Sequence, residues 1–395
     1  MAVWPRPSGL FINPRASAGL AYGAARRSIV SRTGFAAARD EIATWPEYAP
    51  APLLDRPDLA SEAEIGRLWI KDESGRFGLG SFKALGGAYA VFRLLKREVE
   101  AKVPGVVVDA GDLAAGRWLG VTQGVTVTCA TDGNHGRSVA WGAGTFGCNA
   151  VIHIHAGVSA GRQRALENLD AHVIRIDGTY DEAVREAAIN ARLNGWHIVS
   201  DTTWPGYMDI PRDVMQGYTV MVEEVLEQLP ADERPTHVFV QAGVGALPAA
   251  VAGHLWETLG PERPRFVVVE PDKADCHYRS AVAGCLTPAE GKLDTVMAGL
   301  ACGEVSPLAW AILEEGGDAF LTLPDEAAVA AMRRMAAGNP PRMVGEAGVA
   351  GLAGLMSAAS DAQARAALGL GPESRVLVFA TEGATDPELW RTLIG

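Results

Sequence analysis

One segment of the chain contains a lysine in the setting that a reactive amine requires. Residues 71–89 read KDESGRFGLGSFKALGGAY, and Lys83 lies between Phe82 and Ala84 at the predicted start of a helix. Burial among apolar side chains and the positive end of a helix dipole both disfavour an ammonium group, so we expect a lowered pKa. A neutral amine condenses with an aldehyde, and the position therefore suits a Schiff-base lysine. The alternative is a surface lysine whose stem packs on the domain.

A second polar cluster follows a predicted buried strand. The turn TDGNHG occupies residues 131–136 and precedes a helical pattern. Ligands of open α/β sheets bind at the carboxyl ends of strands, so Asn134 could donate a hydrogen bond to a phenolate oxygen and Asp132 could transfer a proton. His135 is expected to be structural. The alternative is ordinary turn and helix-capping chemistry.

The same arrangement of strand, glycines and helix recurs at Gly243, Val244, Gly245 and Ala246. Exposed backbone N–H groups and a helix dipole make such a turn a seat for an anion, and a phosphate fits it. The turn lacks the Lys-[Ser/Thr] pair of a P-loop and the third glycine of a dinucleotide fingerprint, so it does not indicate a nucleotide. Tight packing of helix on sheet is the alternative.

These turns lie in a chain that predicts two open α/β units. Strands are predicted at 125–130, 150–155, 172–176, 196–200, 237–241, 266–270 and 376–380. Helices are predicted at 138–146, 161–168, 180–193, 217–229, 247–256, 325–337 and 348–359. The alternation is typical of mostly parallel sheets with crossover helices. We predict a large domain of residues 1–85 plus 236–395 and a smaller α/β domain of residues 86–235.

Composition excludes several classes of protein. The 395 residues carry 35 Lys plus Arg against 47 Asp plus Glu, a net charge of -12, without a basic stripe, so a nucleic-acid partner is not expected. No stretch of about 20 apolar residues predicts a membrane span. Five cysteines do not make a disulfide scaffold, and a reduced cytoplasmic location is expected. Residues 16–39 have a transit-peptide composition, but Trp4, Phe11 and Phe35 favour an arm packed on a domain.

Eight stretches of the chain together resemble a known family. They are KDESGRFGLGSFKALGGAYA, TDGNHGRSVAW, DTTWPGY, MQGY, QAGVGA, EPDKADC with the following Tyr278, Arg279 and Ser280, MAGLACGE and TEGATD. In this order, across about residues 45 to 390, they resemble the diaminopropionate ammonia-lyases, which are tryptophan-synthase β-like, fold-type II enzymes that use pyridoxal 5'-phosphate (PLP). The resemblance implies two α/β domains with the cofactor in the cleft between them.

The resemblance also implies a reaction and its residues. The reaction is α,β-elimination of 2,3-diaminopropionate to pyruvate and ammonia, with Lys83 as the Schiff-base lysine and Asp132 as the second acid/base. Asp201 would lie near the substrate amino group, where a carboxylate suits a cationic β-ammonium, although a turn residue at the end of a strand is the alternative. The implied cofactor contacts are Phe82, Lys83, Asn134, Gly243, Val244, Gly245, Ala246, Glu346 and Thr381. No metal is implied.

Thr381 is predicted to offer its hydroxyl to the pyridine nitrogen of the cofactor, with Glu382 and Asp386 left as alternatives. A neutral partner there makes the ring a weaker electron sink and favours loss of a β-substituent. Cys276 and Cys302 fall in motifs expected near the mouth of the active site, where thiols are expected and a disulfide is the alternative.

Two departures from the family pattern concern the substrate. Ala51 stands where the family usually has Thr, and Ala347 where it usually has Ser. The alternatives are therefore a PLP-dependent dehydratase or lyase of serine, threonine or a 3-substituted aspartate, and a PLP-binding pseudoenzyme. The partner is expected to be a small amino acid, and the assembly a homodimer.

Overall fold

The computed structural model describes residues 4–16, 19–131, 133–230 and 232–395. Contacts within the chain divide it into two compact units. The large unit comprises Met1–Arg32, Pro50–Gly75 and Met221–Gly395, and the small unit comprises Thr33–Ala49 and Arg76–Val220. The predicted class, two α/β domains with mostly parallel sheets, is confirmed at the level of the sheets described below.

Strands of the described residues form two sheets. They are β1 (Gly9–Ile12), β2 (Leu53–Asp55), β3 (Arg67–Asp72), β4 (Thr126–Ala130), β5 (Asn149–His155), β6 (His172–Ile176), β7 (His197–Ile198), β8 (His237–Gln241), β9 (Arg265–Pro271), β10 (Ala319–Leu323) and β11 (Arg375–Ala380). The large unit has the order β1-β10-β9-β8-β11-β3-β2, in which only the two outer pairs, β1 with β10 and β2 with β3, are antiparallel. The small unit has the parallel order β6-β5-β4-β7.

Helices connect and flank these strands. They are α1 (Gly23–Arg27), α2 (Arg32–Ile42), α3 (Pro57–Glu62), α4 (Ala84–Lys102), α5 (Ala110–Ala114), α6 (Leu119–Thr122), α7 (Asn134–Phe146), α8 (Ala160–Glu167), α9 (Tyr180–Asn194), α10 (Asp209–Gln228), α11 (Ala246–Leu259), α12 (Cys276–Ala283), α13 (Pro307–Gly316), α14 (Asp325–Ala336), α15 (Ala350–Ser360), α16 (Ala362–Leu368) and α17 (Pro387–Ile394). Within the described residues, no helix is both long enough and apolar enough to cross a membrane.

Burial explains why β8, β9 and β11 could be predicted from apolar runs, although β10, which is equally buried, was not predicted. Strands β8 and β10 are buried along their whole length, and β9 and β11 are buried except at their first residue. A parallel sheet covered on both faces selects such continuous apolar runs. The start of α7 differs from the prediction, because the helix begins at Asn134 and not at Ser138. The Thr131 hydroxyl accepts the N–H groups of Gly133 and Gly136 and so caps the helix earlier.

The first described residues belong to the large unit. Trp4 is 7% exposed and its indole N–H donates to Glu62 at 3.0 Å. Strand β1 then pairs with β10, with Gly9 opposite Thr322, and adds an antiparallel edge to the sheet. This segment packs as an arm on the unit.

The two compact units of the structure and the two predicted domains have different boundaries. The small unit takes residues 33–49 and begins again at Arg76, whereas the predicted smaller domain begins at residue 86. Residues 76–83 lead directly into α4, and α4 packs closely on α7, so the lysine segment groups with the small unit. The predicted boundaries stay a prediction.

Candidate active site

Lys83 immediately precedes α4, with helical backbone angles of φ -56° and ψ -28°. Its neighbours are buried, since Phe82 is 7% exposed and Ala84 1% exposed. The Nζ atom lies 5.4 Å from the centroid of the Phe82 ring and donates to Asp201 Oδ2 at 2.6 Å. The structure therefore brings two of the predicted catalytic residues together, although 118 positions separate them in the chain.

Glycines after the lysine let three helices approach closely. A Cβ added to Gly87 would lie 1.9 Å from the Ser138 hydroxyl of α7. A Cβ on Gly86 would lie 2.5 Å from the ring of Tyr218 in α10. Any side chain at these positions would push α4 away from its neighbours, so the pair GG in the lysine motif fixes the start of α4.

The Asp201 carboxylate is positioned by the segment that follows β7. Tyr207 donates its hydroxyl to Ile198 O at 2.8 Å and accepts the Ser200 N–H at 2.9 Å, and so fixes the backbone next to Asp201. Burial raises the pKa of Asp201, but the positive charge of Lys83 outweighs it, and the pKa lies well below the usual range. Asp201 is ionised at neutral pH. Tyr207 was missed from the sequence, although it ends the DTTWPGY motif.

His135 joins α7 to the same segment. Its Nε2 donates to Val199 O at 2.7 Å, and its Nδ1 lies 3.9 Å from Asp201 Oδ2. Burial lowers the pKa of His135. The bond to a backbone carbonyl is the contact of a structural residue.

Of the two remaining site residues predicted in this turn, Asn134 is described by the structure and Asp132 is not. Asn134 is the first residue of α7 and is half-buried, while the capping of this helix comes from the Thr131 hydroxyl. Ordinary capping therefore does not account for Asn134. Asp132 lies outside the described residues, and its role as second acid/base stays a prediction.

The predicted anion seat follows β8 in the large unit. Gly243, Val244 and Gly245 form the turn, α11 begins at Ala246, and Gly245 has φ +103°, a conformation that favours glycine. The first N–H groups of a helix have no acceptor within it, and the first turn of α11 contains no acidic side chain. An anion is favoured there. Close packing is also present, since a Cβ on Gly243 would lie 3.0 Å from Cys302 Sγ.

Thr381 follows β11, the neighbour of β8, at the same carboxyl edge of the large sheet. Its hydroxyl oxygen accepts from Gln241 Nε2 at 2.7 Å, which leaves the hydroxyl proton available for donation. The alternatives have other partners. Glu382 Oε1 accepts the N–H groups of Ala347 and Gly348 at 3.2 Å, and Asp386 caps α17 by accepting from the N–H of Leu389 at 3.2 Å.

Glu346 belongs to the same edge and is 4% exposed. The preceding residue, Gly345, donates its N–H to Glu382 O at 3.0 Å, which fixes the turn that carries Glu346. Within the described residues no disulfide is formed, and Cys276 and Cys302 are not joined to each other.

The residues fit PLP in each unit separately. The small unit supplies an amine that is 22% exposed and bordered by an aromatic ring. The large unit supplies a glycine turn at a helix start and a hydroxyl with a free proton, which suit a phosphate and a pyridine nitrogen respectively.

Comparison with known proteins agrees with this chemistry. Residues 44–382 match the model of a family described as pyridoxal-phosphate dependent enzyme. A diaminopropionate ammonia-lyase of Escherichia coli strain K12 is 40% identical over 354 residues, which cover 88% of this chain and 87% of that protein.

Two solved structures of the Escherichia coli diaminopropionate ammonia lyase are also similar. The complex with D-serine has a TM-score of 0.89 at 36% identity and covers 100% of this chain and 98% of that one. The complex with an aminoacrylate-PLP azomethine reaction intermediate has a TM-score of 0.87 at 36% identity, with the same coverage. This chain therefore belongs to the pyridoxal-phosphate dependent enzymes and, within them, to the family of the diaminopropionate ammonia-lyases.

Proposed function

We propose that this chain converts 2,3-diaminopropionate and one water molecule into pyruvate and two molecules of ammonia, with PLP bound covalently at Lys83. The observation that carries the proposal is the 2.6 Å contact between Lys83 Nζ and Asp201 Oδ2 within motifs of the family. When bound, PLP acts as an electron sink that acidifies the Cα proton of an amino acid and assists the loss of its β-substituent.

Lys83 is proposed to hold the cofactor and then to take the Cα proton at Nζ. Its contact with Asp201 holds the amino group in position, because the carboxylate oxygen lies within hydrogen-bond distance. Once the amine is neutral, it can bind the cofactor or act as a base.

Asp201 is proposed to bind the cationic β-ammonium group of the substrate. The low pKa keeps the carboxylate charged at neutral pH, and a charge-assisted hydrogen bond orients the leaving nitrogen. When the bond to Cβ breaks, its electron pair goes to this nitrogen, so the ammonium group leaves as neutral ammonia and needs no further proton. Serine has a neutral hydroxyl in place of this ammonium, so Asp201 favours diaminopropionate over serine. Asp132 stays the proposed second acid/base.

The amine is tested by comparing Lys83→Arg with Lys96→Arg. Arginine keeps the positive charge beside Asp201 but does not condense with an aldehyde, so K83R is expected to lose the absorbance of the bound cofactor and all pyruvate production. Lys96 lies in the same helix and pairs with Glu100, and K96R should keep both. Borohydride reduction of the holoenzyme followed by peptide mass spectrometry should place the label on Lys83; a label elsewhere contradicts the proposal.

The substrate is tested with a panel of both enantiomers of diaminopropionate, serine and threonine, and of 3-substituted aspartates. Highest kcat/KM for diaminopropionate is expected. Equal or higher turnover of serine would make the chain a dehydratase, which the missing hydroxyls at Ala51 and Ala347 keep as the second candidate. Bound PLP without pyruvate from any amino acid would indicate a pseudoenzyme.

The proposed enzyme is a cytoplasmic homodimer that acts on a small amino acid. The net charge of -12 and the lack of a disulfide among the described cysteines support a reduced aqueous compartment. Light scattering coupled to size-exclusion chromatography tests the assembly, and a mass of one chain would contradict it.

A further inference from the structure

Glu270 caps a helix to which it does not belong. It lies near the end of β9, is 1% exposed, and its two carboxyl oxygens accept the N–H groups of His277 at 2.9 Å and Tyr278 at 2.8 Å. These are among the first N–H groups of α12, which the residue before the helix, Asp275, does not cap with its side chain. The carboxyl group of Glu270 therefore fixes the first turn of α12 to the sheet.

His277, in that first turn, reaches the glycine turn. It is 0% exposed, and its Nε2 lies 3.1 Å from Gly243 O. A carbonyl oxygen only accepts hydrogen bonds, so Nε2 is the protonated nitrogen. Burial lowers the pKa of His277 to about 4, which makes the ring neutral at physiological pH. Nδ1 then carries a lone pair, and it is buried without a hydrogen-bond partner among the described residues.

The ring of His277 also supports Gly245. A Cβ on Gly245 would lie 2.4 Å from His277 Cε1 and 2.9 Å from Ala309 Cβ. The glycine turn therefore lies directly on the imidazole, and Gly245 has no room for a side chain on this side.

The geometry of the peptide bond shows how these contacts orient the backbone N–H groups of the anion seat. In a trans peptide, the carbonyl of one residue and the N–H of the next point in opposite directions. The bond from His277 to Gly243 O therefore turns the N–H of Val244 away from the imidazole. On the next peptide, Ser306 N–H donates to Val244 O at 2.9 Å, which turns the N–H of Gly245 away from Ser306.

We infer that His277, held by Glu270, is a positioning residue for the anion seat at Gly243–Ala246, which it orients to receive the phosphate of the cofactor. The inference rests on the proposed function, because PLP supplies that phosphate. His277 does not touch the reacting atoms. Its contribution is to fix the direction of backbone donors before the phosphate arrives, which lowers the cost of ordering the turn on binding.

The test compares His277→Met, which removes the N–H donor, with His277→Gln, whose amide can replace it. We expect H277M to raise the Kd for PLP about tenfold, the effect of one lost hydrogen bond, and H277Q to recover most of that loss. The Kd is measured by equilibrium dialysis of the holoenzyme against known PLP concentrations, and the ³¹P resonance of the bound phosphate is recorded for each variant. H277M is expected to shift that resonance.

His237→Gln is the matched control. Like His277, His237 is a buried histidine of the large unit whose Nε2 donates to a backbone carbonyl, Leu368 O at 2.9 Å, but it lies at the start of β8, away from the glycine turn. H237Q should leave the Kd for PLP and the ³¹P resonance unchanged. If H277M does not fold, Glu270→Gln replaces it, since loss of one of the two acceptor oxygens loosens the α12 cap and should raise the Kd severalfold.

The outcomes separate the two proposals. A folded H277M with wild-type Kd and ³¹P resonance, or an E270Q with both unchanged where H277M does not fold, overturns the role of His277 and leaves the proposed function intact. Wild-type enzyme that binds no PLP overturns the proposed function itself. Equal losses in H277M and H237Q would show a general effect on stability and would also overturn the positioning role.

Discussion

Glu270 should make the stability of the protein fall as the pH rises. Burial raises the pKa of this carboxyl from 4.5 to about 8, in spite of the backbone N–H groups that it accepts. Between these two pH values the folded chain keeps a proton on Glu270 that the unfolded chain has released. The stabilisation is therefore fully present below pH 4.5 and is lost as the pH rises through 8.

The size of the effect follows from linkage. Each tenfold change in proton affinity corresponds to about 1.4 kcal/mol, so the whole window from pH 4.5 to 8 is on the order of 5 kcal/mol. Glu270→Gln has no titrating proton and should lack this contribution. We expect the free energy of unfolding of E270Q minus that of wild type to become more positive with rising pH, by up to about 1.4 kcal/mol per pH unit, because only wild type loses stability.

The assay is urea unfolding at several pH values from 5 to about 9, followed by circular dichroism. Other titrating groups are common to both proteins and cancel in the difference. Glu223→Gln is the control of opposite sign: burial raises the pKa of Glu223, but His254 and Arg32 outweigh it and lower the pKa to about 2. The stability that this pKa confers is lost only as the pH falls below 4.5. An E270Q difference that does not vary between pH 5 and 8 would refute the reasoning.

Three substitutions test the site itself. Asp201→Asn should reduce kcat/KM for diaminopropionate by about 10²- to 10⁴-fold while PLP stays bound, measured by pyruvate formation, and a wild-type value would remove Asp201 from the reaction. Tyr207→Phe loses the tether beside Asp201 and should reduce kcat/KM by about fivefold; no further loss in the double variant with D201N would show that Tyr207 acts through Asp201. Gly245→Ala places a Cβ against His277 and forces a left-handed backbone on alanine, so PLP affinity should fall, and an unchanged Kd would contradict the proposed anion seat.

Strands β8, β9 and β11 of the large sheet and the turns after β8 and β11 were predictable, whereas the edge strands β1 and β2 and the inner, buried strands β3 and β10 were not predicted. Strands buried on both faces leave continuous apolar runs such as β8, and glycines mark the turns that follow them. By contrast, β2 has three residues and pairs with the next strand, β3, whereas β1 has four residues and pairs with the distant β10. Such short antiparallel edges leave little periodicity in the sequence.

The candidate site shows the same division between local and distant information. The helix start at Lys83 and the glycine turn at Gly243 are local features, and both were recognisable. The contact of Lys83 with Asp201 depends on the path of the chain over 118 residues and was not predicted; the resemblance to a family implied only that Asp201 lies near the substrate amino group. His277 was missed because its role needs a packed ring beneath Gly245, which no spacing in the sequence encodes.

The backbone at Ala51 is fixed by a buried polar network. Ala51 O accepts from Lys71 Nζ at 2.6 Å and from Gln228 Nε2 at 2.9 Å, and Ala51 N donates to Glu224 Oε2 at 3.1 Å. Lys71 and Glu224, 0% and 1% exposed, form an ion pair at 2.7 Å, so removal of either charge would leave the other buried without this opposite charge.

Ala347 is fixed in a similar way, because its N–H donates to the buried Glu382 carboxylate at 3.2 Å. Gly299 leaves space beside it, since an added Cβ there would lie 3.2 Å from the Ala347 Cβ. At both positions, hydrogen bonds of the backbone fix the residue, and the alanine side chain, which departs from the family pattern, takes no part in them. A hydroxyl restored at Ala51 or Ala347 therefore changes what the position can hydrogen-bond without changing where it lies. For this reason the two departures bear on the choice among amino acids and not on the fold or on the elimination chemistry.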